Sequence, residues 1–294
     1  MDLSPHNHLV DCHWLAAHLD NAALRIVECT SQLPNYFEPS AADGLDLESG
    51  RPLFEQAHIQ GATYVDLLHE LSDRTQTQFM YAMPSADAFA RVMSAIGVGN
   101  DSAVVLYDRG MNSWAARVWW MLRCFGFDNA VVLDGGWTAW SAHGLPTTTA
   151  PATYPPTQFT PHPRAGLIAT RDKVLAQLGD NSSCLINALD PDEFAGRPPQ
   201  RYARPGRIPG SVNVPFATTV NLETQTFASE TDLREQFDAV GALDKAQVIA
   251  YCGGAIAASN TVFALTRLGV DNVSLYDGSL TEWTADPTLP MEIG

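Results

Sequence analysis

The chain has 294 residues, 46% of them hydrophobic, which is enough apolar material for two cores in domains of roughly 100–150 residues each. Its 17 Lys and Arg against 33 Asp and Glu leave a net charge of −16, a field that repels nucleic acid and anionic membranes and obliges any small anionic substrate to find a local cluster of Arg. Five cysteines without a C-x-x-C pair argue against a disulfide framework, no apolar run approaches the ~18 residues of a membrane span, and no basic, then apolar, leader opens the chain; free thiols and a cytoplasmic location are expected.

In chain order, Arg25-Ile-Val-Glu-Cys29 reads as a buried strand. The stretch from Ser31 to Phe54, with Pro, Gly and acidic residues, reads as an irregular segment wrapping the first domain. His58-Ile-Gln-Gly-Ala62 is a turn before the next strand. Val104-Val-Leu-Tyr-Asp108 is a strand followed by small residues and a helical pattern, Ala115 to Gly126. A further strand ends in Leu133-Asp-Gly-Gly136, and Trp140 follows six residues after that Asp.

The same series then recurs. Ser183-Cys-Leu-Ile-Asn187 matches the first strand, Arg207-Ile-Pro-Gly-Ser211 the turn, and Val248-Ile-Ala-Tyr-Cys252 the strand ending at Asp108. A helical pattern from Ala257 to Gly269, a strand ending in Tyr276-Asp-Gly278, and Trp283 complete the repeat. Between the copies, Pro151 to Pro163 is too rich in Pro and Thr for a helix and reads as an extended linker. Strands alternating with helical patterns predict an α/β fold of two tandem domains, each a mainly parallel sheet flanked by helices on both faces. The expected boundaries are 5–148 for the first domain, 149–163 for the linker and 164–294 for the second.

The chemistry points to Cys252. A thiol after a strand and before a helix faces backbone N–H groups without intrahelical partners, which favours the thiolate. Gly253 and Gly254 free the backbone to turn tightly there and aim N–H groups at an anion on the sulfur. Cys12, Cys29, Cys124 and Cys184 lack such a loop and read as structural. Ala258 at the Arg position argues against a phosphatase of the C-x5-R type. His6, His8, Cys12 and His13 match no common zinc spacing. Trp114, Trp119 and Trp120 read as core or interface packing, and Asp190, Asp192 and Glu193 as a turn and helix start.

Together, His58 to Ala62, Gly206 to Phe216, Arg117-Val-Trp-Trp-Met-Leu122, Leu133 to Gly136, Tyr276-Asp-Gly-Ser279 and the Cys252 loop resemble the rhodanese family, in its tandem two-domain form, over nearly the whole chain. That resemblance implies a sulfurtransferase working through a Cys252 persulfide cradled by the N–H groups of Gly253, Gly254, Ala255, Ile256, Ala257 and Ala258. It implies a small-molecule sulfur donor, a thiol or cyanide as acceptor, and no cofactor or metal; nucleic acid and membrane are already disfavoured by the charge and the hydropathy. Asp108 stands where the second copy has Cys252 and cannot hold a sulfane sulfur, so the first domain is expected to be catalytically silent.

The loop departs from the family's two patterns. Where mercaptopyruvate-type members read Cys-Gly-Ser-Gly-Val-Thr, Gly254 and Ala257 replace the hydroxyl residues, and where thiosulfate-type members carry basic residues this loop has glycines. The Arg common after an early strand is replaced by Leu189. Arg197, Arg201, Arg204 and Arg207, crowded into one stretch, are therefore the candidates for holding the donor's charge. Thiosulfate is the favoured donor, with 3-mercaptopyruvate second; the alternative function is a low-activity persulfide carrier or partner-binding module.

Overall fold

The computed structural model describes residues 1–34, 46–155, 157–198 and 201–294. The first half comprises β1 (Leu9–Val10), α1 (Cys12–Ala17), β2 (Leu24–Glu28), β3 (Ser31–Gln32), β4 (Glu48–Ser49), α2 (Arg51–Gln56), β5 (His58–Ile59), β6 (Ala62–Tyr64), α3 (Ala86–Ala95), β7 (Ala103–Tyr107), α4 (Ser113–Cys124), β8 (Ala130–Leu133), α5 (Gly136–Ala142) and β9 (Thr147–Thr148). The second comprises β10 (Ile168–Ala169), α6 (Arg171–Ala176), β11 (Ser183–Asn187), α7 (Pro191–Phe194), β12 (Val212–Asn213), α8 (Glu230–Ala239), β13 (Gln247–Tyr251), α9 (Ala257–Arg267), β14 (Val273–Tyr276) and α10 (Ser279–Ala285).

Each half holds one five-stranded parallel sheet, in the order β1-β8-β7-β2-β6 and β10-β14-β13-β11-β12. The two orders are the same when matched element by element, so the repeat in the sequence is a repeat in the fold. All five residues of β7 are buried, as are the last four of β13. These strands read as continuous apolar runs because helices cover both faces of the sheet. The segment from 31 to 54, expected to be irregular, contains the antiparallel pair β3–β4 and the start of α2; its residues 35–45 lie outside those described. The stretch 151–163 forms no helix or strand among its described residues. It lies along the first half, with Ala152 N–H donating to Ala62 O at 3.1 Å, Tyr154 Oη to Gly61 O at 2.6 Å and His162 N–H to Phe125 O at 2.7 Å.

The central strands β7 and β13 end at Tyr107 and Tyr251, which places Asp108 and Cys252 at the carboxyl edges of their sheets, where parallel α/β folds gather their sites. The helices that follow differ from their neighbours at the N-terminus. Helices α3, α6 and α8 are capped by the side chains of Ser85, Thr170 and Ser229, whereas α4 and α9 receive no side-chain cap. Their first N–H groups are left for whatever occupies the strand end.

The two halves share a core. Helix α4 packs on α9, with Trp119 edge-on to Phe263 at 4.8 Å between ring centroids, and one continuous apolar cluster runs from Val27 to Leu289. Buried Arg117 pairs with Asp277 across the junction at 2.5 Å, and Asp277 also accepts the Met83 N–H at 2.8 Å. Asn260 Nδ2 donates to Met111 O at 3.0 Å, and Asn112 Nδ2 to Gln225 O at 2.6 Å.

Candidate active site

Cys252 is 2% exposed and sits at the junction of the two halves. The backbone N–H groups of Gly253, Gly254, Ala257 and Ala258 turn towards its sulfur and lower its pKa, but burial acts more strongly and the thiol ends above its ordinary value. The helix terminus thus offsets part of the desolvation and does not, by itself, produce a thiolate at neutral pH. This differs from the sequence expectation, which counted the N–H groups and could not count the burial.

The loop's backbone is shaped by more than its two glycines. The left-handed residue is Ala255, at φ 66°, whereas Gly253 and Gly254 have ordinary negative φ. Gly253 is required for space, because a Cβ there would collide with the hydroxyl of Tyr202. Ser279, at the start of α10, also holds a left-handed φ of 49°; its Oγ accepts the N–H of Cys252 at 3.1 Å and of Ala255 at 3.2 Å and donates to Tyr276 O at 2.9 Å. The Thr281 N–H and Oγ1 both donate to Gly253 O, at 3.0 and 2.7 Å. From sequence, Ser279 entered only as the end of the Tyr276-Asp-Gly-Ser279 segment, with no role at the loop, and Thr281 not at all. The self-comparison held the signal for Ser279, since the matching residue of the first copy is Gly136.

The first half repeats this arrangement around a carboxylate. Asp108 is 1% exposed; its Oδ1 accepts the N–H groups of Gly110 at 2.7 Å and Asn112 at 3.1 Å, and its Oδ2 that of Ala115 at 2.8 Å. Trp137 N–H donates to Asp108 O at 2.9 Å as Leu280 N–H donates to Cys252 O at 3.0 Å. A loop of this shape therefore accommodates a built-in acidic group, whose pKa is raised by burial against the N–H groups that lower it.

Cys252 opens on a cavity of about 400 Å³ whose walls come from both halves. Leu33, Leu53, Met111, Trp114, Leu189 and Phe216 give it a mainly apolar lining, with Ser31, Tyr81, Ser113 and Thr281 among the polar groups. Among the described lining residues, the one cation is Arg109. It is already engaged: Nε and Nη2 bind the two oxygens of buried Glu28 at 2.6 and 3.2 Å, Nη2 also donates to Ala57 O at 2.5 Å, and the guanidinium lies 4.0 Å over the Trp137 ring.

None of the four candidate arginines is among the described lining residues. Arg197 is 67% exposed and pairs with Asp192 at 2.6 Å. Arg201 pairs with Glu193 at 2.7 Å, both side chains largely buried. Arg204 donates to four backbone carbonyls, those of Trp283, Thr284, Asp286 and Leu289, at 2.6–3.0 Å. Arg207 bonds Glu292 and the carbonyls of Phe194 and Gly294. Among the described residues no group of three or more His, Cys, Asp or Glu could hold a metal; His6 lies edge-on to Trp14 and His8 to Trp119. No helix among the described residues is long and apolar enough to cross a membrane.

The family model of the rhodanese-like domain matches the chain twice, over residues 11–143 and 170–286. A putative thiosulfate sulfurtransferase of Mycobacterium bovis is 33% identical over 259 residues, covering 85% of this chain and 91% of the relative. Thiosulfate/3-mercaptopyruvate sulfurtransferase 2 of Arabidopsis thaliana is 32% identical, covering 98% of this chain and 87% of the relative. The crystal structure of SseA from Escherichia coli, described as showing the rhodanese fold and the catalytic mechanism of 3-mercaptopyruvate sulfotransferases, superposes with a TM-score of 0.80 at 28% identity and covers 92% of this chain and 98% of its own. With two domains of one fold in tandem, matched over both halves, the chain belongs to the rhodanese family, among its two-domain sulfurtransferases.

Proposed function

We propose that this sulfurtransferase carries a sulfane sulfur on Cys252, taking it from a small anionic donor and passing it to a thiophilic acceptor. The observation that carries this reading is the convergence of four backbone N–H groups on a buried thiol at the floor of a cavity. In the first half-reaction the Cys252 thiolate attacks the outer sulfur of thiosulfate. A new S–S bond forms to Sγ, the old S–S bond breaks, and its electron pair leaves on sulfite. The N–H groups of the loop then face the outer sulfur of the persulfide and spread its charge over fixed dipoles.

Thiosulfate is favoured over 3-mercaptopyruvate because sulfite leaves as a stable anion, whereas cleaving a C–S bond calls for a proton at the leaving carbon. The segment Gly253–Ala258 offers no hydroxyl for that relay. We place the first domain outside the chemistry, since Asp108 fills its own loop.

The test is thiocyanate production from cyanide with thiosulfate and with 3-mercaptopyruvate, alongside intact mass spectrometry for a gain of one sulfur. Loss of both signals in Cys252→Ser is expected; retention of either would overturn the assignment. A persulfide that forms but never turns over with any small acceptor would favour a sulfur carrier.

A further inference from the structure

We propose that Arg109, from the first domain, holds the charged group of the sulfur donor through its Nη1 edge and so gives the cavity its preference for anionic over neutral ligands. This rests on the Cys252 persulfide reading and names the residue that recognises the donor at that site.

An anionic donor gives up hydration on entering a mainly apolar cavity and needs a cation inside it. Arg109 is the one cation among the described lining residues, and residues 35–45, 156 and 199–200, outside those described, include no Lys or Arg. In the repeat, Arg109 follows Asp108 as Gly253 follows Cys252. The charge that the sulfur loop lacks is thus brought to the shared cavity by the matching loop of the other half. Arg109 binds and makes no bond to sulfur, so the first domain still stands outside the chemistry.

The guanidinium is held at one edge and open at the other. Nε and Nη2 bind Glu28 at 2.6 and 3.2 Å and Nη2 also donates to Ala57 O, whereas Nη1 has no hydrogen-bond partner among the described residues. Nη1 is not one of the buried polar atoms left without a partner, so it is open to solvent, with the Arg109 side chain 15% exposed. Its two N–H groups are available to sulfonate oxygens.

Glu28 does not cancel this charge as met from the cavity. It is 0% exposed and is not among the described lining residues, so the guanidinium stands between the donor and the carboxylate. Glu28 also accepts from Tyr107 Oη at 2.6 Å and Thr30 Oγ1 at 3.0 Å, which share its charge. The pair presents its positive end to the cavity, and because Coulomb energy falls with distance the nearer charge prevails. Glu28, Ala57 O and the Trp137 ring, 4.0 Å from the guanidinium, fix its position before the donor arrives and spare the cost of ordering a free Arg side chain. A thiosulfate held through its oxygens turns its outer sulfur, the atom that Sγ attacks, away from the guanidinium.

Two variants test this. Arg109→Lys keeps a cation for Glu28 but loses the open Nη1, and Arg109→Gln combined with Glu28→Gln removes both charges without leaving a carboxylate buried and unpaired. Loading of Cys252 from thiosulfate, followed by the one-sulfur gain in intact mass, should need at least about tenfold more thiosulfate for half-saturation in both variants, with the maximal rate within about threefold of wild type. Benzenesulfonate should protect wild-type Cys252 from iodoacetamide and lose about tenfold in affinity in both variants, whereas benzenesulfonamide, similar in shape and uncharged, should protect all three proteins alike. The unprotected alkylation rate should not change. Half-saturation within about twofold of wild type in either variant would overturn the proposal, and so would equal losses for sulfonate and sulfonamide, which mark a deformed cavity rather than a lost charge. If wild-type Cys252 gains no sulfur from thiosulfate, the persulfide reading fails, while protection by benzenesulfonate still reports on Arg109.

Discussion

Ser279 Oγ and Cys252 N lie 3.1 Å apart, and the same oxygen takes the N–H of Ala255 at 3.2 Å, so one hydroxyl pins both the start and the left-handed corner of the sulfur loop. Ser279→Ala leaves two buried N–H groups unpaired at about 1–3 kcal/mol each and keeps the unfavourable φ. We expect a loss of stability of about 2 kcal/mol and a fall of roughly tenfold or more in the rate of persulfide loading. Ser279→Gly relaxes the backbone without restoring the oxygen. Its midpoint of thermal unfolding should exceed that of Ser279→Ala while its loading rate stays low; a normal rate in Ser279→Gly would show that the hydroxyl is dispensable.

The thiol of Cys252 is pushed above its ordinary value by burial, so loading should accelerate with pH. Below the folded pKa the thiolate fraction rises about tenfold per pH unit, and the iodoacetamide reaction of Cys252 should follow that slope through pH 7–9. The stability sign runs the other way. The folded chain binds this proton more tightly than the unfolded one, so the contribution is full below about pH 8.5 and is lost as pH climbs through the folded pKa. A flat rate profile from pH 6 upward would mean the N–H groups outweigh burial after all.

Asp108 answers three N–H groups in the first half. Asp108→Ala strands them and should cost about 2–4 kcal/mol in urea unfolding, while Asp108→Asn, which retains one acceptor oxygen, should cost less. A stability change under about 0.5 kcal/mol in Asp108→Ala would mean that water replaces the carboxylate freely.

The arginines should separate by role. Arg204→Ala removes donors to four carbonyls and should destabilise by about 2–4 kcal/mol. Arg197→Ala, an exposed partner of Asp192, should stay within about 0.5 kcal/mol. Neither substitution should raise the KM for thiosulfate, since neither residue lines the cavity; an increase of about tenfold in either would return that arginine to the donor site.

The tandem fold was legible in the sequence because the two copies carry the same strand runs and the same Asp-Gly turns, and β7 and β13 are apolar throughout. Cys252 stood out because a strand end, two glycines and a helix start coincide there. Other features depend on distance rather than order. Four arginines in one stretch look alike on paper, yet Arg204 points to the carbonyls of the last turn of α10 and of the residues just after it, and Arg207 to Glu292. The cavity draws Leu33, Tyr81, Trp114, Leu189 and Phe216 from segments dozens of residues apart. The direction of the Cys252 shift needed the burial, which no local motif records.

The shared core between α4 and α9, with Arg117 and Asp277 locked across it, has a consequence for the history of the chain. A duplicated gene can usually lose one copy, but here each copy seals an apolar face of the other. Cutting the chain between them would uncover Trp119 and Phe263 and remove one wall of the cavity, so the first copy, which we propose stands outside the chemistry, is as necessary to the site as the second.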